Sequence, residues 1–186
     1  MTHSRSDIEA SARGVLWQAG TVSAPVDLQR VVQSLGAQLH FQQLEPHVSG
    51  VLAIQGGEKH ILINATHHPN RQRFTISHEC GHLVLHHQDG DQLFIDTRLR
   101  VYQRVGVPSS EAYASGEAST SPQQEREANQ FASALLMPAP LIIERVGNTA
   151  GVVDEEDVSS LAASFGVSEQ AMSIRLQHLN LLHIQP

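Results

Sequence analysis

The sequence predicts an α+β fold: a small antiparallel sheet packed on a helical core, with an HExxH sequence on a central helix and further helices at the C-terminal end. Three observations predict it. Apolar residues recur at helical spacing near both ends of the chain. Three short runs rich in Val, Ile, Leu and Phe lie between residues 37 and 64. A strongly apolar helical stretch after Pro69 then carries His78-Glu79-Cys80-Gly81-His82.

Residues 6–19 place Ile8, Ala12, Val15, Leu16 and Ala19 on a helical repeat. Pro25 opens a second helix bearing Val26, Leu28, Val31, Val32 and Leu35, and Gly36 stops it. Ala37–Phe41, Gly50–Ile54 and His60–Asn64 read as strands, with Gly56-Gly57 as a hairpin turn between the last two. Pro69-Asn70 introduces a third helix, with Asn70 as its N-cap, running to about His86. Its apolar positions Phe74, Ile76, Leu83, Val84 and Leu85 leave little room for an exposed face, so it is a core helix. Residues 88–121 are polar and rich in Ser, Gly and Ala, with a Leu93–Ile95 patch, and Ser109–Ser121 reads as a flexible loop. Ser121-Pro122-Gln123-Gln124 has the capping-box form with proline at the first helical position. That helix runs to about Met137 and halts before Pro138 and Pro140. A short helix across Leu141–Val146 follows, then helices over about Glu155–Phe165 and Glu169–Leu179, separated by Gly166-Val167-Ser168. Residues 1–150 read as the core and 151–186 as a helical extension packed on it, one domain in all.

A chain of 186 residues, 40% hydrophobic and 17% charged, is long and apolar enough for a real core. A net charge of −7 argues against a direct nucleic-acid partner, because phosphate neutralisation needs clustered Lys and Arg. Cys80 is the only cysteine, so no internal disulfide forms and the compartment can be reducing. No signal-peptide core opens the sequence, and no apolar run approaches the ~20 residues of a membrane span. The expected setting is cytoplasmic, without a membrane partner. His3, His47 and His183 show no partner pattern and read as surface residues.

The chemistry concentrates in the HExxH sequence. Residues four apart on a helix share a face, about 6 Å apart along the axis. Imidazoles at His78 and His82 can therefore converge on one zinc ion. Glu79 is turned by about 100 degrees, suited to take a proton from an activated water rather than to ligate. Cys80 points to the opposite face and reads as a small packed group. Gly81 reads as a point of close approach by another backbone. His86 is too far along the axis to share a metal with His78 and His82, so His86 and His87 read as surface or helix-end residues. A catalytic zinc site needs a third protein ligand. Glu125 and Glu127 are the candidates, and spacing favours Glu125 because Asn129, four residues on, shares its face and can support the site by hydrogen bonding. Glu127 lies on another face and reads as surface charge.

Two blocks carry a family resemblance. Residues 71–83, RQRFTISHECGHL, and residues 125–138, EREANQFASALLMP, resemble the ImmA/IrrE family of bacterial metallopeptidases, whose pattern runs RxxFTxAHELGH and then ExxANxFAxxLLMP. Cys80 stands for the usual Leu and Ser77 for the usual Ala, both away from ligand positions. The resemblance covers roughly residues 25–145 and implies a zincin-like core. It implies one Zn²⁺ per chain held by His78, His82 and Glu125, with Glu79 as general base. It also implies a regulatory endopeptidase whose protein partner is a phage-repressor-type helix-turn-helix repressor, cleaved to release stress-response or phage-like genes.

A competing class is a DNA-binding or non-catalytic partner-binding regulator. Leu161–Ser168 followed by Ala171–Leu176 mimics a helix-turn-helix. Arg175 is the one Lys or Arg among residues 150–186, which also hold Asp154, Glu155, Glu156, Asp157 and Glu169, a poor match to DNA. A packing role is expected instead. For the group that stabilises the oxyanion, His67, His68, Arg73, Tyr102 and Tyr113 are unranked candidates. Strand 50–54 or 60–64 is expected to present an exposed edge beside the site, where an extended peptide can add.

Overall fold

The computed structural model describes residues 2–86, 91–97, 120–147 and 153–181. Helix α1, Arg5–Gln18, begins with a capping box in which Ser4 and Asp7 each bond the other's backbone. Helix α2 is Leu28–Ser34, capped by Asp27. Pro25 follows a cis peptide bond and lies outside α2, so the second helix opens at the Asp27 cap and not at the proline.

Strands β1, Ala37–Gln42, β2, Val48–Gln55, and β3, Glu58–Asn64, match the three predicted runs, each longer by one to three residues. Gly56 and Gly57, both at positive φ (58° and 85°), join β2 to β3 in a two-residue hairpin with Gln55 opposite Glu58. A fourth strand, β4, Gln92–Thr97, contains the Leu93–Ile95 patch. The strand order is β1-β3-β2-β4. The sheet is mixed, because β1 runs parallel to β3 while β2 pairs antiparallel with both β3 and β4. The expectation of a small antiparallel sheet holds for β2 with β3 and β4 and is corrected for β1, which pairs parallel with β3. Alternation of apolar residues reports which face is buried and carries no information on strand direction. The expected exposed edge also moves: β2 and β3 are interior, and among the described residues β1 and β4 form the edges.

The sheet turns Leu52, Ile54, Ile61 and Ile63 into the core. Against it lies helix α3, Pro69–Leu85, which buries nine consecutive residues, Thr75–Leu83. A helix buried all round in this way is a core element. Gly50 of β2 admits it, since a Cβ there would stand 2.5 Å from the Thr75 Cγ2. Pro69 takes the first helical position, so the N-cap falls to His68, whose Nδ1 accepts from the Asn70 amide, and not to Asn70.

Helix α4, Pro122–Leu136, opens with the predicted Ser121/Gln124 capping box. It packs on both α3 and α1. Helix α5 covers Ala139–Val146, α6 covers Glu155–Phe165 and α7 covers Glu169–His178. Gly166 ends α6 in the left-handed conformation. Arg175 of α7 is buried, pairs with Glu9 of α1 and donates from Nε to the Met137 carbonyl at 2.9 Å. The helix-turn-helix-like pair thus spends its one guanidinium on packing. No helix among the described residues is long and apolar enough to cross a membrane. Most of the Ser109–Ser121 stretch, with His87 and His183, lies outside the described residues.

Candidate metal centre

Gly81 and Ala128 set the spacing of the two helices that build the centre. A Cβ on Gly81 would stand 3.0 Å from the Ala128 Cα and 3.1 Å from its carbonyl oxygen, so α3 and α4 meet backbone to backbone. That approach lets a carboxylate from the first turn of α4 reach imidazoles in the middle of α3.

His78 Nε2 and His82 Nε2 lie 3.0 Å apart. Glu125 Oε2 is 3.5 Å from the first, and Glu125 Oε1 is 3.6 Å from the second. Ligands held at 2.0–2.1 Å around a tetrahedral ion are spaced by roughly 3.3 Å, which these separations bracket. His78, His82 and Glu125 form a group whose donor atoms all lie within 4.8 Å of one another. The donor set, two imidazoles and a carboxylate, is the kind zinc takes.

The surroundings orient the donors. Asn129 Oδ1 lies 3.0 Å from His78 Nδ1, one helical turn beyond Glu125 and on the face the spacing predicts. An amide oxygen only accepts, so His78 carries its proton on Nδ1 and turns the Nε2 lone pair toward His82 and Glu125. The Thr120 hydroxyl donates to Glu125 Oε1. Burial pushes the Glu125 carboxyl up, but when His78 and His82 are protonated, with no metal between them, the His78 hydrogen bond, the two imidazolium charges and the Thr120 hydroxyl outweigh it and hold it at about 2. Phe94 of β4 stacks on the His82 ring, with centroids 5.0 Å apart and planes at 21°. Glu79 is fully buried in the same turn of α3. Cys80 is fully buried too, and burial together with the Glu79 charge pushes its thiol far up, as suits a packed group.

Glu127 and His3, read as surface groups, are not exposed, and His86, read as a surface or helix-end residue, is the C-cap of α3. His86 and Glu127 are buried, with His86 Nε2 3.0 Å from Glu127 Oε2. His86 Nδ1 lies 3.2 Å from His82 Nδ1. His3 is half-buried, and its backbone amide donates to Glu127 Oε1 at 3.1 Å. Hydrogen bonds from His86, Gln123 and the His3 amide hold the Glu127 carboxyl low against its burial. The available signal was the second i,i+4 step, 82 to 86, on the same helix face. His47 is exposed, as expected.

The oxyanion candidates separate. Arg73 donates to the Gly166 and Val26 carbonyls, at 3.2 and 3.0 Å, and so ties α3 to the α6–α7 turn. His68 caps α3, and His67 sits half-buried in the β3–α3 connection. Tyr102 and Tyr113 lie outside the described residues.

Two histidines of the HExxH helix and a glutamate from a distant helix thus form one group that could hold a metal ion. A family profile described as the IrrE N-terminal-like domain, a peptidase family, matches residues 32–177, and the chain belongs to this ImmA/IrrE family. It is similar to the radiation response metalloprotease IrrE of Deinococcus radiodurans, at 35% identity over 117 residues, covering 59% of this chain and 31% of that protein. The match therefore spans about a third of the relative's length.

Proposed function

We propose that the chain is a zinc-dependent regulatory endopeptidase acting in the cytoplasm. The convergence of His78, His82 and Glu125 at ligand spacing, from two helices locked together at Gly81, supports this reading most strongly. These three side chains would hold one Zn²⁺. The chemistry such an ion would supply there is a water acidified toward a pKa of ~7 and polarisation of the scissile carbonyl. Glu79 takes the proton as the water oxygen bonds to the carbonyl carbon. It then passes that proton to the amide nitrogen as the C–N bond breaks.

The substrate proposed is a helix-turn-helix repressor, cut at a loop or linker. β4 carries Phe94 against His82 and is an edge strand among the described residues, so an extended segment adding to β4 would run beside the centre. A net charge of −7 favours approach of a basic DNA-binding protein, most at low salt. A stress-response setting is in line with the name of the Deinococcus relative. Direct DNA binding is disfavoured by the burial of Arg175. The test mixes zinc-loaded protein with the repressor from its own locus and, separately, with casein. Cleavage of the repressor at one or a few sites with little casein digestion is expected. Rapid casein digestion with the repressor intact would overturn the regulatory reading.

A further inference from the structure

We propose that His86 and Glu127 are positioning residues that fix His82 in the one tautomer able to bind metal, as Asn129 does for His78. The inference rests on reading His82 as a ligand. A histidine that ligates through Nε2 carries its proton on Nδ1 and needs an acceptor there. The atom facing His82 Nδ1, at 3.2 Å, is another imidazole nitrogen, His86 Nδ1. Only one proton fits between two such nitrogens, and by itself the pair leaves open which ring holds it.

Glu127 resolves the choice. Its Oε2 lies 3.0 Å from His86 Nε2, and a carboxylate only accepts, so the His86 proton sits on Nε2. His86 Nδ1 is then a lone pair, His82 Nδ1–H donates to it, and the His82 Nε2 lone pair faces His78 and Glu125. The opposite arrangement, with His86 donating, would place an N–H on His82 Nε2 and block ligation.

The carboxylate itself is held from two further sides. Gln123 Nε2 and the His3 amide donate to Oε1 at 2.8 and 3.1 Å. His3 also places Nε2 3.2 Å from the Leu85 carbonyl, with its ring 6.2 Å from that of His86. A buried imidazole–carboxylate pair brings little net stability, so stability alone is a weak reason for this one.

The experiment has two arms. Long-range ¹H–¹⁵N NMR of the zinc-loaded wild-type protein reads the tautomers directly. His86 protonated on Nε2 and His82 protonated on Nδ1 are expected. His86 protonated on Nδ1, or on both nitrogens, overturns the proposal. In the second arm, Co²⁺ is titrated against a competing chelator while its visible absorption is followed. His86→Leu is expected to weaken binding about 10–100-fold and change the spectrum. His86→Asn, whose amide oxygen can take the place of Nδ1, is expected to recover most of the loss. Wild-type affinity and spectrum in His86→Leu, or a loss that His86→Asn does not recover, overturns the relay and leaves the metal centre standing. Failure of the wild-type protein to bind Co²⁺ overturns the relay and the proposed function together. If His86→Leu does not fold, the tautomers of the wild-type protein decide.

Discussion

Gly81 of α3 faces Ala128 of α4 with room for a hydrogen and no more, since a methyl group there would stand 3.0 Å from the Ala128 Cα. Gly81→Ala is therefore expected to destabilise the fold by roughly 1–3 kcal/mol and to weaken metal binding by prising Glu125 from the histidines. Gly14→Ala on α1, which meets nothing within 4 Å, is the control and is expected to stabilise by about 0.5–1 kcal/mol. Urea unfolding of both variants checks this. Equal stability of Gly81→Ala and wild type would show that the helices can move apart freely.

Asn129 accepts from His78 and touches no ion in the proposed centre. Asn129→Ala is expected to lower zinc affinity about 10–100-fold without changing the fold. Competition with a chromophoric chelator measures it, and unchanged affinity would remove Asn129 from the account.

What the sequence made legible was mostly local. The Ser121/Gln124 capping box, the Gly56-Gly57 hairpin and the contact at Gly81 each depend on a few neighbouring residues, and each is where spacing placed it. The parallel pairing of β1 with β3 was not legible, because it is decided by which strand β3 inserts between. β4 showed only three apolar residues in a polar stretch. Glu127 was misread for a different reason. It lies about 200 degrees around α4 from Glu125. A helix with one working face would leave it in solvent, but α4 packs on both α3 and α1. His86 and His3 likewise gain their partners only through tertiary contact.

Cys80 is buried and its thiol is pushed up by burial and by Glu79. It is expected to resist alkylation at pH 8 in the native state and to label at the unfolding rate in denaturant. Fast native labelling, followed by mass spectrometry, would mean that the HExxH helix opens readily.

Arg175 is buried against Glu9 and the Met137 carbonyl. Glu9→Ala strands the guanidinium and is expected to cost about 3 kcal/mol, the low end for a broken buried pair because Glu9 is partly exposed. Thermal unfolding measures the loss. The same variant is expected to leave DNA affinity negligible at low salt. Salt-sensitive DNA binding by the wild type would revive the helix-turn-helix reading of α6 and α7.

Glu79→Gln keeps size and shape but cannot take a proton. It is expected to retain the metal and lose about 10²–10⁴-fold in turnover of the repressor. Undiminished turnover would assign the base to another group.

Whether His78, His82 and Glu125 hold one zinc ion is decided by elemental analysis of protein supplied with zinc and freed of excess. Close to one zinc per chain is expected in the wild type and in Glu79→Gln, and close to none in His78→Ala, His82→Ala and Glu125→Ala. A wild type without zinc, or a Glu125→Ala variant that holds it as tightly as the wild type, would contradict the account.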